Sequence, residues 1–443
     1  MRRFTILFLL LAAVTAAALD RQPNEDYRVR RVALSQKLGN GITVLFARAE
    51  ARGPDALYAF HQDENFYYLT GWSEPGAALL IAPAVTGRND ARPYTEILFL
   101  PPHNPSQEKW TGPKLGPDDA EATKVTGFDR VEALDRMRDE IAHLLPPTRA
   151  TIYADLPSYE DPAPTPSLLD WLWRGNAFPV YVRFEDVKTL LTPMRMVKDA
   201  GEVALIRKAV DASVAAHIAA MHAVHSGMNE RQIAAVMHYE FERRGCERPA
   251  YEPIVGSGAH STVLHYEADS GPINDGDVLL LDVGGEYSYY AADITRTLPV
   301  NGKFSARQRE LYDIVLGAQE AAIQAFRLGH SHLSGYGADS LNNVATDYLN
   351  THGKDIHGKP LGRYFIHGLG HHVGLNVHDA TDPSLPLAKG MVFTLEPGLY
   401  IPEEKIGIRI EDMFYIDNDG QLVRLTSALP RTANEIEKTM AEH

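Results

Sequence analysis

The chain has 443 residues, 44% of them hydrophobic and 23% charged, with 58 acidic against 43 basic residues and a net charge of -15. That length allows two or three domains with well-buried cores. The acidic balance argues against nucleic acid or an anionic membrane as partner, since both reward basic patches.

The N-terminus reads as a targeting segment. Arg2-Arg3 precede an apolar run from Phe4 to Val14, and Ala16-Ala17-Ala18 offer a small-residue cleavage pattern. Residues 1-18 are therefore expected to be a signal peptide, with a secreted or periplasmic mature protein. No other stretch approaches the length of a membrane span. The single cysteine, Cys246, excludes an intrachain disulfide and a thiolate-based zinc cluster.

Residues 19-192 read as an α/β domain with a mixed sheet. β-like runs at Ile42-Phe46, Ala77-Ile81 and Glu96-Leu100 alternate with proline-rich connections, of which Leu156-Pro166 is one. A division near Leu191-Thr192-Pro193 leaves 193-443 as a second domain. There Asp199 and Glu202 form a capping pattern before a helix reaching about His225. Asn229-Gln232 starts a second helix that ends before Gly245, and Ser305-Gln308 a third that runs to about Leu328. His217, His222, His225 and His238 fall in or at the ends of these helical patterns, as packing or surface residues.

Acids then interrupt apolar strands. Asp282 closes Val278-Leu281, Glu396 follows Val392-Leu395, and Glu411 ends the alternation Ile406-Ile410. Gly284-Gly285 is read as a turn or bulge in a hairpin bringing Asp282 to Asp293. Period-two alternation places Arg409 with Glu411, and Glu396 with Thr394. A buried unpaired carboxylate costs several kcal/mol, roughly 2–7 even for a neutral polar group. One Arg409 cannot neutralise four acids, so a metal centre is the economical reading. His371 lies in the dense segment His367-Gly368-Leu369-Gly370-His371-His372, followed by His378. Its glycines disfavour a helix, and it lacks the glutamate of the helical H-E-x-x-H zinc motif. One imidazole and four carboxylates are mostly hard donors that suit Mn²⁺. Four acids suit two ions, whose expected chemistry is hydrolysis by an activated water.

These segments carry a family resemblance. Ile254-Val255-Gly256-Ser257-Gly258 with Leu264-His265-Tyr266, Leu281-Gly284, Asp293-Thr297, His367-Asp379, Glu396-Gly398 and Arg409-Asp412 resemble, in order, the aminopeptidase P and prolidase group of pita-bread metallopeptidases. His61-Gly71 and Trp110 extend the resemblance into the N-terminal half. It implies an α/β (α+β) fold: a creatinase-like N-terminal α/β domain followed by a pita-bread catalytic domain. It implies two Mn²⁺ ions, with Zn²⁺ or Co²⁺ as alternatives. Asp282 would bind one, Asp293 and Glu411 would bridge, and His371 and Glu396 would complete the second site.

In the same resemblance His265 shuttles a proton or positions substrate, and His378 contacts substrate near the scissile bond. His367 and Arg409 help form the pocket for the following proline. The implied partners are peptides with proline in second position and further copies of the chain, as a dimer or tetramer. Trp110 resembles a segment that reaches a neighbouring subunit's site, and Asn65 stands where some relatives carry aspartate. Three readings remain open at this point: an Xaa-Pro aminopeptidase, a prolidase acting on Xaa-Pro dipeptides, and a non-catalytic peptide-binding module. The intact ligand set disfavours the last, as it disfavours a metal-free creatinase-like hydrolase.

Overall fold

The structure is a computed structural model that describes residues 20-49, 60-84, 93-145, 150-156, 182-335, 337 and 339-442. The expected signal peptide and most of the Leu156-Pro166 connection lie outside the described residues. Among the described residues, no helix is long and apolar enough to cross a membrane.

The N-terminal domain is built on a six-stranded mixed sheet. Its strands are β1 (Ile42–Phe46), β2 (Ala78–Pro83), β3 (Tyr94–Leu100), β4 (Val131–Ala133), β5 (Thr151–Ala154) and β6 (Arg183–Asp186). They lie in the order β4-β3-β2-β1-β5-β6. Antiparallel pairing joins β1, β2 and β3, and the outer neighbours pair parallel. The three β-like runs of the sequence are β1, β2 and β3, the last two shifted or lengthened by a few residues.

Helices α1 (Asn24–Ser35) and α2 (Glu64–Thr70) belong to this domain, with α3 (Pro105–Thr111), α4 (Ala122–Thr126) and α5 (Met137–Leu144). Alternation splits the strand side chains between two cores. Ile42, Val44, Leu80 and Phe99 pack with Met137 and Ile141 of α5. Leu45, Leu79, Leu98 and Leu100 pack with Leu34 and Phe66 in a core continuous with the second domain.

Helix α6 (Lys188–Met196) runs through Pro193, so the division expected there falls inside a helix. Helices α7 (Ala200–Ala223), α8 (Glu230–Glu242) and α9 (Ala306–Ala325) match the three helices read from sequence. Each begins with the reciprocal capping box its sequence announces: Asp199 with Glu202, Asn229 with Gln232, and Ser305 with Gln308. Two further helices, α10 (Leu341–His352) and α11 (Ala433–Met440), follow among the described residues.

The second domain's strands form small antiparallel sheets. β7 (Arg248–Pro249) pairs with β10 (Gly285–Tyr287), which pairs with β11 (Tyr290–Ala291). β8 (Ile254–Ser257), β9 (Val278–Asp282) and β12 (Thr295–Pro299) form a second sheet. β13 (Val392–Leu395), β16 (Asp412–Ile416) and β17 (Leu422–Arg424) form a third, and β14 (Gly398–Ile401) pairs with β15 (Ile406–Arg409).

The hairpin between the two aspartates turns at Ser288-Tyr289, not at Gly284-Gly285. Both turn residues adopt left-handed backbone, with φ of 50° and 71°. Each such residue costs on the order of 1–3 kcal/mol. Tertiary contacts hold the tip: Tyr289 stacks on Tyr67 at 4.1 Å, and Ser288 Oγ accepts from Asp20 N at 2.9 Å. Gly284 has another task. A Cβ there would lie 1.9 Å from the Ala292 carbonyl, so only glycine lets the two arms approach.

A buried ion pair locks the strands that carry the acids. Arg296 on β12 and Asp412 on β16 are both 0% exposed and meet at 2.7 Å. Arg296 also donates to the carbonyls of Glu411 at 2.7 Å and Pro430 at 2.8 Å. Removing Arg296 leaves the buried Asp412 with only Arg424, 3.9 Å away, as a cationic neighbour, at a cost of about 3–5 kcal/mol. Arg296→Met is expected to destabilise by that amount, read as an earlier urea transition for the second domain. An unchanged midpoint would refute the role.

Candidate metal centre

The nine residues expected to hold metal, act in catalysis or bind substrate all line one cleft of about 310 Å³. Asp282 is the last residue of β9, and β9 pairs with β12 in a register that sets Asp282 opposite Thr295. Val283 N donates to Ile294 O at 3.1 Å, which brings Asp293 beside Asp282. Glu411 follows β15, and its N–H donates to Thr295 O at 3.1 Å. Glu396 follows β13. The segment before His371 runs along β13's edge: Glu396 N donates to Leu369 O at 2.8 Å, and Thr394 N to His371 O at 2.9 Å. Gly370 permits this closeness, because a Cβ would stand 2.0 Å from Thr394 O.

The result is a chain of overlapping donor groups. Asp282, Asp293 and Glu411 form one, His371, Glu396 and Glu411 a second, and Asp293, His371 and His378 a third. Within each, the ligand atoms lie within 4.8 Å of one another. Among the described residues, every such group lies in this cleft. Larger cavities of about 570 Å³ at Trp72 and Pro101 and about 770 Å³ at Arg248 and Glu252 contain none.

The cleft carries more negative charge than its cations answer. Arg409 pairs with Asp282, and His371 Nε2 lies 3.2 Å from Asp293 and 3.4 Å from Glu396. Burial pushes the Glu411 carboxyl well above its usual range, and the charges of Asp293, Glu396 and Asp282 push it further. Burial likewise raises Glu396 to about 7 and raises Asp282 against the pull of Arg409. Burial opposes both members of the next pair, but their mutual hydrogen bond wins: Asp293 is lowered and His371 is raised to about 9. Glu411 Oε1 is buried with no hydrogen-bond partner. An oxygen-rich set with surplus charge and an unanswered carboxylate oxygen fits divalent cations.

The other expected residues take distinct places. His265 is exposed on the loop after β8 and makes no hydrogen bond among the described residues. His378 packs edge-on to His371, with centroids 4.2 Å apart, and burial lowers its pKa. His367 is lowered to about 4 by burial and then by Arg409, and its Nε2 lies 2.8 Å from the Tyr400 hydroxyl. Arg409 donates to that hydroxyl at 2.7 Å, so Tyr400 links the two. Trp110, on α3, is 88% exposed and does not line the cleft. His217 is buried against Val283 O at 3.1 Å, and His222, His225 and His238 are exposed, as their helical spacing implied.

Sequence reasoning missed Tyr251, Thr295 and Tyr400. The Tyr251 hydroxyl lies 2.7 Å from Asp282 Oδ1 and 2.6 Å from Asp293 Oδ1, and burial holds its pKa well above the ordinary value. Tyr251 sits in a loop whose sequence has no period. Thr295 Oγ1 donates to Glu411 Oε2 at 2.7 Å, and alternation from Asp293 could have placed it on that face.

The comparisons bear on this geometry. Residues 204–418 match the family model described as metallopeptidase family M24, and residues 27–153 match the aminopeptidase P N-terminal domain. The chain is 33% identical to the Xaa-Pro aminopeptidase of Haemophilus influenzae, covering 96% of this chain and 99% of the relative. It is 34% identical to the Xaa-Pro aminopeptidase of Escherichia coli K12, covering 94% and 97%.

The chain belongs to metallopeptidase family M24.

Solved structures agree. E. coli aminopeptidase P with the inhibitor Pro-Leu superposes at a TM-score of 0.80 and 31% identity, covering 95% of this chain and 99% of the other. The zinc-substituted E. coli enzyme in complex with product gives 0.81 at 31% identity and the same coverage. The fold is thus the expected one: an aminopeptidase P-like α/β domain followed by the pita-bread domain that carries the M24 cleft.

The loop of His378 is tied to both domains. Asp379, a buried residue, pairs with Arg195 of α6 and with Lys198 Nζ at 2.9 Å, and Arg195 reaches Asn65 of α2 at 2.7 Å. Burial would raise the Asp379 pKa, but Arg195 and Lys198 prevail and hold it at about 2, below its ordinary 3.8. A depressed carboxylate stabilises the fold above pH 4 and loses that contribution as pH falls toward 2. The stability gap between wild type and Asp379→Asn should therefore narrow by about 2 kcal/mol between pH 4 and pH 2 in urea titrations. A gap constant across that window would contradict the pairing.

Proposed function

We propose that the chain is an Xaa-Pro aminopeptidase, a metallo-exopeptidase hydrolysing the bond between an N-terminal residue and a following proline. The observation that carries the reading is the convergence of four carboxylates and His371 in one cleft of a chain resembling Xaa-Pro aminopeptidases over nearly its whole length. The full-length match, with its N-terminal domain, favours this over a prolidase restricted to dipeptides.

Asp282, Asp293, His371, Glu396 and Glu411 would hold two divalent ions, with Mn²⁺ suited to the oxygen-rich set. When bound, such ions supply Lewis-acid chemistry that polarises the scissile carbonyl and activates water. The chain's own residues do the rest. Tyr251 and Thr295 orient Asp282, Asp293 and Glu411 by their hydroxyls. His367 and Arg409, joined through Tyr400, would wall the proline pocket. His378, its pKa lowered by burial, would meet the substrate as a neutral imidazole. His265, at the cleft mouth and free of hydrogen bonds among the described residues, would accept or relay a proton as the amine leaves. Further copies of the chain, brought to the site by the exposed Trp110, would be its partners alongside Xaa-Pro peptides.

Chelation should abolish release of the first residue from an Xaa-Pro-Yaa peptide, and Mn²⁺ should restore it, with products identified by mass spectrometry. Asp293→Ala should lose metal as well as turnover, read by elemental analysis. Full activity of protein shown to be metal-free would sink the reading.

The histidine separates catalysis from metal binding. His265→Ala should lower kcat by roughly 10²-fold or more with both ions retained. Asp282→Ala should lose metal and activity together. A His265→Ala protein with normal kcat would remove the proton-relay role, and one lacking metal would make His265 a ligand.

A further inference from the structure

We propose that Glu230 is a positioning residue that holds His265 at the cleft. The proposal rests on the reading of His265 given above. His265 is exposed and makes no hydrogen bond of its own among the described residues, so its ring is placed only by the loop that carries it. That loop, 258-271, folds around one carboxylate. Glu230, the first residue of α8, is 0% exposed. Its Oε1 accepts from Ser257 N at 2.8 Å and lies 2.9 Å from His260 Nδ1. Its Oε2 accepts from the Tyr266 hydroxyl at 2.9 Å and from Gly271 N at 2.5 Å. The four partners mark the loop's entry, its first turn, the residue next to His265, and its exit.

The remaining contacts tighten the same grip. The His260 ring stacks on Tyr266 at 4.3 Å. Glu230 N donates to Gly271 O at 3.0 Å, Asn229 Nδ2 to Ser270 O at 2.8 Å, and Arg231 to Ala268 O at 3.1 Å. No lysine or arginine pairs with Glu230 among the described residues; its one ionic neighbour is His260. A buried carboxylate without a strong cation is tolerated only when its lone pairs are filled, and here the loop fills them. The carboxylate therefore has one evident task, which is to define the loop's shape.

Glutamine cannot replace it. Each carboxylate oxygen faces a backbone N–H, from Ser257 on one side and Gly271 on the other, so an amide NH₂ opposes a donor in either orientation. A displaced His265 loses turnover steeply, since a misplacement of about 1 Å can cost roughly 10²-fold.

The experiment compares wild type, Glu230→Gln, Tyr266→Phe, His265→Ala and the double variant Glu230→Gln/His265→Ala. It reads kcat and KM on an Xaa-Pro-Yaa peptide with Mn²⁺, bound metal by elemental analysis, and folding by thermal melt. Glu230→Gln should lose roughly 10- to 100-fold in kcat, with metal retained and KM changed by less than about twofold. Tyr266→Phe, which removes one bond beside His265, should show a smaller loss of the same kind. In the His265→Ala background, Glu230→Gln should add no further loss. Wild-type kcat in folded Glu230→Gln and Tyr266→Phe overturns the proposal, as does a loss that multiplies with that of His265→Ala. If Glu230→Gln does not fold, Tyr266→Phe decides by the same criteria. A silent His265→Ala strikes the reading of His265 itself, and an impaired His265→Ala beside silent loop variants strikes only the positioning role.

Discussion

The structure is organised around an electrostatic imbalance. Four carboxylates converge on a cleft where Arg409 answers one and His371 is shared between two. Glu411 is left with an unpartnered oxygen among three acidic neighbours. Such an arrangement is unfavourable for the protein alone, because desolvation and like-charge repulsion act together. The scaffold must hold these groups together against their own repulsion. That requirement explains why the acids sit at strand ends, where backbone ladders fix them, and why Tyr251 and Thr295 hold them by hydroxyls rather than by further charges.

The rigidity comes from beneath the cleft. Arg296 ties the strand after Asp293 to the segment of Glu411 through Asp412 and the Glu411 carbonyl. The N-terminal domain contributes at two points. Tyr67 stacks on the strained tip of the hairpin joining Asp282 to Asp293. Asn65 reaches through Arg195 to Asp379, next to His378. The two domains share one apolar core, so the loops that line the cleft are braced from the N-terminal side as well as from their own strands.

Much of this was legible in the sequence. Charges that interrupt apolar runs marked Asp282, Glu396 and Glu411, and the capping pattern Asp199-Glu202 with the starts at Asn229 and Ser305 marked three helices. The hairpin turn was misplaced because Gly284-Gly285 carries the usual turn signature, whereas the actual turn, Ser288-Tyr289, has none. Tyr67, which stacks on that turn, lies far away in the chain. The division expected at Pro193 fell inside α6, because this proline stands within the helix and does not end it. Tyr251 and Glu230 stayed hidden for a related reason. Each earns its role from partners distant in sequence, and a loop tyrosine or a first-turn glutamate looks ordinary without them.

The order of the candidate ligands along the chain has a consequence for biosynthesis. Asp282 and Asp293 come early in the second domain, and His371, Glu396 and Glu411 come late. No local stretch holds a complete donor set. A growing chain therefore cannot assemble the cleft until Glu411 has been made and β15 has docked beside β12. The proposed ion site would therefore be completed late, unlike a zinc finger, where a short segment folds around its metal.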